Sequence, residues 1–124
     1  MNKLNLLLCL TFLALPVRAV PNDQQEAVST LEQDVKASPN NPELWLHLGF
    51  AYRKVDQMDQ AQNAFQKALS LNPNSKEATS MLALIYEKKQ QKPEALRMWK
   101  SYLALENDTA KREMAEKHIH QLSQ

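Results

Sequence analysis

"NPELWLHLGFAYRKVDQMDQAQNAFQKALSLNP", residues 41–73, decides how this chain folds. Trp45, Leu48, Ala51, Tyr52 and Val55 recur at helical spacing, which predicts an amphipathic helix over 42–55. Asn41 is a good N-cap, and Pro42 suits the first helical position, where a missing N–H costs nothing. After the short break "DQMD", Ala61, Ala64, Phe65, Ala68, Leu69 and Leu71 predict a second helix over 59–71. That helix stops at Asn72-Pro73, because the residue before proline is pushed out of α space. Gly49, the single glycine of the chain, lies inside the first helix, where it costs about 1 kcal/mol against alanine.

The stretch recurs. Shifted by 34 residues, Leu48 falls on Leu82, Tyr52 on Tyr86, Ala61 on Ala95 and Phe65 on Trp99. Asn41, Ser75 and Thr109 coincide, and each is a good N-cap. Helices are thus expected over 76–89 and 93–106. A helix over 23–37 carries Ala27, Val28, Leu31 and Val35, in the pattern of a second helix without its first. A helix over 110–122 carries Met114, Ala115, Ile119 and Leu122, in the pattern of a first helix without its second. The expectation is an all-α stack of six helices: a half repeat 23–41, full repeats 42–75 and 76–109, and a capping helix 110–122. Such units cannot bury their apolar faces alone and must stack on their neighbours.

Composition agrees. With 124 residues, 44% apolar and 23% charged, the chain suits one globular domain. One glycine is too few for tight β-hairpins. Residues 1–19, "MNKLNLLLCLTFLALPVRA", join a basic Lys3 to an apolar run from Leu4 to Leu15, then Pro16 and small residues Val17 and Ala19. That is the plan of a secretory signal peptide cut after Ala19, which predicts a secreted or periplasmic protein of residues 20–124. Cutting there removes Cys9, the one cysteine, and with it any disulfide chemistry. The apolar run is shorter than the about 20 residues a bilayer core requires, so no stable membrane insertion follows once the signal is cut. Without residues 1–19 the net charge is −1 and no basic patch remains, which excludes a nucleic-acid partner.

Trp45, Leu48, Gly49, Tyr52, Ala61, Phe65, Ala68 and Pro73 match, in register, the signature of the tetratricopeptide repeat (TPR). The chain resembles that family from Asp23 to Leu122. The second repeat is a degenerate copy, with Thr79 at the tryptophan, Ala83 at the glycine, Tyr102 at the second alanine and Asn107 at the proline. The wording is also similar to the exported TPR modules of bacterial cytochrome c maturation, accessory subunits of the haem lyase. The resemblance implies a TPR helical-hairpin stack whose concave face, lined by first helices, binds a peptide or helix. In that register the groove residues are Leu46, Phe50, Arg53, Ser80, Leu84, Glu87, Met114 and His118. The lysine and asparagine that clamp a terminal carboxylate in one well-known TPR mode are replaced here by Leu46 and Phe50, so that clamp is absent. An apolar groove with Arg53 at its edge suits an amphipathic helix or hydrophobic peptide.

No constellation for catalysis exists. His118 and His120 stand two apart on a helix and face different sides, so no metal is expected. Ser29, Ser75, Ser101 and Ser123 have no evident base, and one glycine cannot build a phosphate loop. The expected function is a non-catalytic, cofactor-free adaptor for a protein or peptide partner, helping cytochrome c maturation; the alternative is a scaffold subunit of an envelope assembly such as a pilus, secretion or cell-wall complex. Two full repeats are few for such a stack, which leaves self-association open.

Overall fold

A computed structural model describes residues 22–124. Residues 1–21, which hold the expected signal peptide and Cys9, lie outside them. The described residues form six helices: α1 Asp23–Ala37, α2 Pro42–Lys54, α3 Met58–Leu71, α4 Lys76–Lys88, α5 Lys92–Leu105 and α6 Thr109–Leu122. All substantial helix contacts join neighbours in sequence, as a stack requires. Among the described residues, no helix is long and apolar enough to cross a membrane.

Local chemistry sets the boundaries. The Asn41 side chain accepts from the Glu43 N–H at 3.0 Å, and Ser75 Oγ from the Ala78 N–H at 3.1 Å. Helices α2 and α4 end in identical Schellman motifs. Gln57 N–H bonds Tyr52 C=O at 2.9 Å and Gln91 N–H bonds Tyr86 C=O at 2.8 Å. The motif needs one residue in the left-handed region, and Asp56 and Gln90 both have φ of 58°. These are the positions where glycine is usual, while Gly49 is helical with a negative φ.

Gly49 therefore serves packing. A Cβ built on it would lie 2.7–2.9 Å from the ring of Phe65, which is completely buried between α2 and α3. Phe50 packs edge-to-face on the same ring, at 5.2 Å between centroids. In the next pair Trp99 replaces Phe65, also fully buried, and Ala83 replaces Gly49. These two large side chains anchor one core, and their burial each contributes roughly 1.5–3 kcal/mol.

The joints between pairs also repeat. Tyr52 Oη donates to Glu32 Oε1 at 2.5 Å across the α1–α2 joint. Thirty-four residues on, Gln66 Nε2 donates to Tyr86 Oη at 2.8 Å across α3–α4. So α1 relates to α2 as α3 relates to α4.

Thr109 does not cap α6. Asp108 does, its Oδ1 accepting from the Lys111 N–H at 2.9 Å, and Thr109 is the first helical residue. Buried Glu106 explains the shift. Its Oε1 accepts the N–H groups of Asn107 and Asp108 at 2.9 and 3.0 Å, and Lys76 Nζ at 3.2 Å. Its Oε2 accepts from Tyr102 Oη at 2.9 Å. The loop is thus tied down one residue earlier than the period suggests. Arg112 reaches back to the carbonyls of Leu103 and Glu106, at 2.6 and 2.8 Å, and closes the end of α5.

Candidate peptide-binding groove

The first helices α2, α4 and α6 supply the expected groove residues, and the structure sorts these residues into three places. Arg53 and Leu84 come together in a cleft of about 260 Å³ between α2 and α4, with Met81 and Lys88. Leu84 is 39% exposed, large for a leucine. Arg53 places a guanidinium N–H 2.9 Å from Met81 Sδ, and among the described residues no carboxylate pairs with it or with Lys54. This cleft therefore combines a partly exposed apolar floor with one unneutralised cation, Arg53, while Lys88 pairs with Asp56 at 3.6 Å.

Leu46 and Phe50 leave the groove. Leu46 is only 8% exposed and belongs to the core, in one cluster with buried residues of α3 and α4. Phe50 is half-buried on Phe65 and faces a different cleft, of about 380 Å³, between α1 and α2. Ser80 is half-buried and its hydroxyl donates to the Glu77 carbonyl of its own helix at 3.1 Å, so it offers a partner little.

Glu87 and His118 form a third group, which bridges helices. Glu87 Oε1 lies 2.8 Å from His118 Nδ1 and also accepts from Trp99 Nε1. The His118 ring stacks on Trp99, centroids 4.5 Å apart and planes at 20°. Three helices meet at one carboxylate oxygen, so these residues dock α6. Met114, 40% exposed, remains the open apolar residue of α6. Periodicity placed Glu87 and His118 on first helices but could not pair them, and it gave no sign that Trp99 joins them. Met81 and Lys88 stand beside the outward positions in that register, whereas Met58, which lines the same cleft from the start of α3, lies outside it.

Structural pairs carry electrostatic shifts. The Asp108 N–H, with the Tyr102, Lys76 and Asn107 donors, holds Glu106 down at about 2 against the opposing effect of burial. Burial and the Glu32 bond push Tyr52 up to about 12, and burial and Glu106 do the same to Tyr102. Among the described residues, no group of three or more His, Cys, Asp or Glu could hold a metal ion.

Known proteins give the fold independent support. Tetratricopeptide-repeat models match residues 42–75 and, offset by one helix or so, residues 64–97. No curated protein matches the chain. Among solved structures, MamA is similar at 21% identity and a TM-score of 0.71, over 80% of this chain; the chain spans only 56% of that one. The first TPR of Spaghetti (RPAP3), bound to the HSP90 peptide SRMEEVD, is similar at 23% identity and a TM-score of 0.71, over 82% of both chains. The TPR domain of Arabidopsis OM64 is similar at 23% identity and a TM-score of 0.69, over 80% of this chain and 82% of that one. At such identities the likeness is one of fold. Together with the in-register signature and the repeated joints, these matches show that residues 42–97 are tetratricopeptide repeats within a stack of that fold.

Proposed function

We propose that the protein is an exported adaptor that holds an amphipathic, acid-bearing segment of a partner protein on its concave face. The observation that carries this reading is the α2–α4 cleft. Exposed Leu84 and half-buried Met81 supply an apolar seat, and Arg53 supplies an unpaired cation at its edge, beside Lys88, which pairs with Asp56 at 3.6 Å. Amphipathic segments bind such grooves through apolar anchors, and a guanidinium adds charge-assisted bonds to a carboxylate. The peptide held by the Spaghetti TPR is itself acidic, ending in Glu-Glu-Val-Asp. That neighbour supports the class of ligand and leaves its identity to experiment.

The first reading places this adaptor in cytochrome c maturation, presenting the haem-free polypeptide to the lyase. It rests on the similarity of residues 31–73 to the TPR modules of that pathway and on the export signal expected over residues 1–19. Titration of haem-free cytochrome c polypeptide into the protein tests it. Binding is expected, weakened about tenfold by Leu84→Asp and by Arg53→Glu. Both residues are exposed, so the variants keep the fold. Unchanged affinity in both variants overturns the groove. Absence of binding overturns the cytochrome reading and favours an envelope scaffold. Sequencing the amino terminus of the exported protein checks the cut after Ala19.

A further inference from the structure

The two ends of the stack differ. At the α6 end, the positions equivalent to Trp45, Leu48, Gly49 and Tyr52 are Glu113, Glu116, Lys117 and His120, all exposed. Charged side chains there terminate the stack in water. At the α1 end the opposite holds. Ala27 and Leu31 stand 34 residues before Ala61 and Phe65, which are completely buried under α2. Ala27 is exposed and Leu31 only half-buried, because among the described residues no helix lies over α1 as α2 lies over α3. The Tyr52–Glu32 joint places α1 in the geometry of a second helix, so the neighbour it lacks among the described residues is a first helix. Beside this face, Phe50 and Ala51 complete the apolar wall of the 380 Å³ cleft, with His47, Lys54 and Asp23 at its rim.

We propose that this open end accepts a helix from a partner protein, which docks along α1 and α2 as an added first helix of the stack. The chain's own repeats define the occupant's chemistry. The core contact in each pair puts a small residue, Gly49 or Ala83, against the large one of the second helix, Phe65 or Trp99. The incoming helix therefore carries a leucine followed by glycine or alanine, with the small residue over Leu31. It also carries an acid toward Lys54, which has no carboxylate partner among the described residues. A second copy cannot supply this helix from its α6, whose equivalent positions are charged. The inference deepens the adaptor reading but rests on a different cleft from that of Leu84.

The probe is a synthetic peptide of residues 41–55, the chain's own first helix, with Arg53→Glu and Lys54→Glu. Fluorescence anisotropy with the full chain is expected to show saturable binding. Ala27→Glu in the protein weakens it by about tenfold or more, as does Leu31→Asp, because each sets a charge into the contact. Gly49→Leu in the peptide does the same. Ala27 is exposed, so that variant folds even if Leu31→Asp does not. Four results overturn the inference. One is no binding, and another is binding lost through Leu84→Asp but indifferent to Ala27→Glu, which leaves the central groove standing. The third is a dimer broken by Ala27→Glu, which makes a second copy the occupant. The fourth is binding only after residues 1–19 are removed, which makes that leading segment the occupant.

Discussion

The ring of Phe65 fills the space that a Cβ on residue 49 would take, its nearest carbon 2.7 Å from that position. The ring cannot yield easily, since it is fully buried and held edge-on by Phe50. The presence of alanine at residue 83 suggests from sequence that Gly49→Ala is mild. The contact reverses this. Overpacking costs about 1–3 kcal/mol, against a helix-propensity gain of about 1 kcal/mol. Gly49→Ala is expected to lower the melting temperature, and Gly49→Leu to lower it much further. Phe65→Leu in the Gly49→Ala background is expected to recover part of the loss, a non-additivity that a double-mutant cycle reads directly. Thermal melts of the parent, Gly49→Ala, Phe65→Leu, the double variant and Gly49→Leu check this, and an unchanged Gly49→Leu melt would refute the packing account.

Asp56 and Gln90 invite the opposite substitution. Both sit at φ of 58°, a conformation that costs a residue with a Cβ roughly 1–2 kcal/mol and glycine little. Gln90→Gly is expected to stabilise by about 1 kcal/mol, raising the melting temperature by about 4–8 °C for a domain this size. Asp56→Gly gains less, because aspartate tolerates that region better than glutamine. Differential scanning calorimetry ranks the two.

Acid should loosen the α5–α6 loop. Glu106 titrates at about 2 in the fold, against an ordinary glutamate value of about 4.3. A depressed carboxyl stabilises fully above its unfolded value, and that stability is lost as pH falls from about 4.3 to about 2. Glu106→Gln is expected to destabilise at neutral pH, and the gap to the parent is expected to narrow as pH approaches 2. Tyr52, raised to about 12, acts on the alkaline side. Its contribution is complete below about pH 10 and declines as pH rises toward 12. Melting curves across pH read both, and a gap for Glu106→Gln that stays constant down to pH 2 counts against the first.

The Glu87 carboxylate is expected to set how firmly α6 is held. It bridges Trp99 and His118, while Ala115 is the single fully buried residue of α6. Losing one partner of such a bond typically costs about 1–3 kcal/mol. Glu87→Ala and His118→Ala are expected to speed amide exchange throughout α6 and to leave α2 and α3 unaffected. His118→Phe keeps the stack on Trp99 and should lie between. Hydrogen exchange resolved by segment tests this, and slow exchange in α6 of Glu87→Ala would refute it.

Helix positions were legible because each local rule agreed with its neighbours. Asn41, Ser75 and the Asn72-Pro73 stop are set by two or three adjacent residues. Thr109 failed because Glu106, through four donors, outweighs the periodic position of a hydroxyl. The groove was legible only in part. Register gives the side of a helix on which Leu46 and Phe50 lie, but whether they meet solvent depends on how α2 crosses its neighbours. Leu46 joins one cluster with buried residues of α3 and α4, and Phe50 is drawn to Phe65. The Glu87–His118–Trp99 contact joins residues up to 31 apart in sequence, a distance at which no local pattern carries information.

The Tyr52–Glu32 and Tyr86–Gln66 joints make length a free variable of this architecture. A duplicate of residues 42–75 inserted after Ser75 would arrive with its own tyrosine facing Gln66, and its own glutamine facing Tyr86. Nothing at either boundary would have to be redesigned. The molecule is in that sense a short print of an indefinitely long pattern, and gene duplication can set its reach in steps of one helical hairpin.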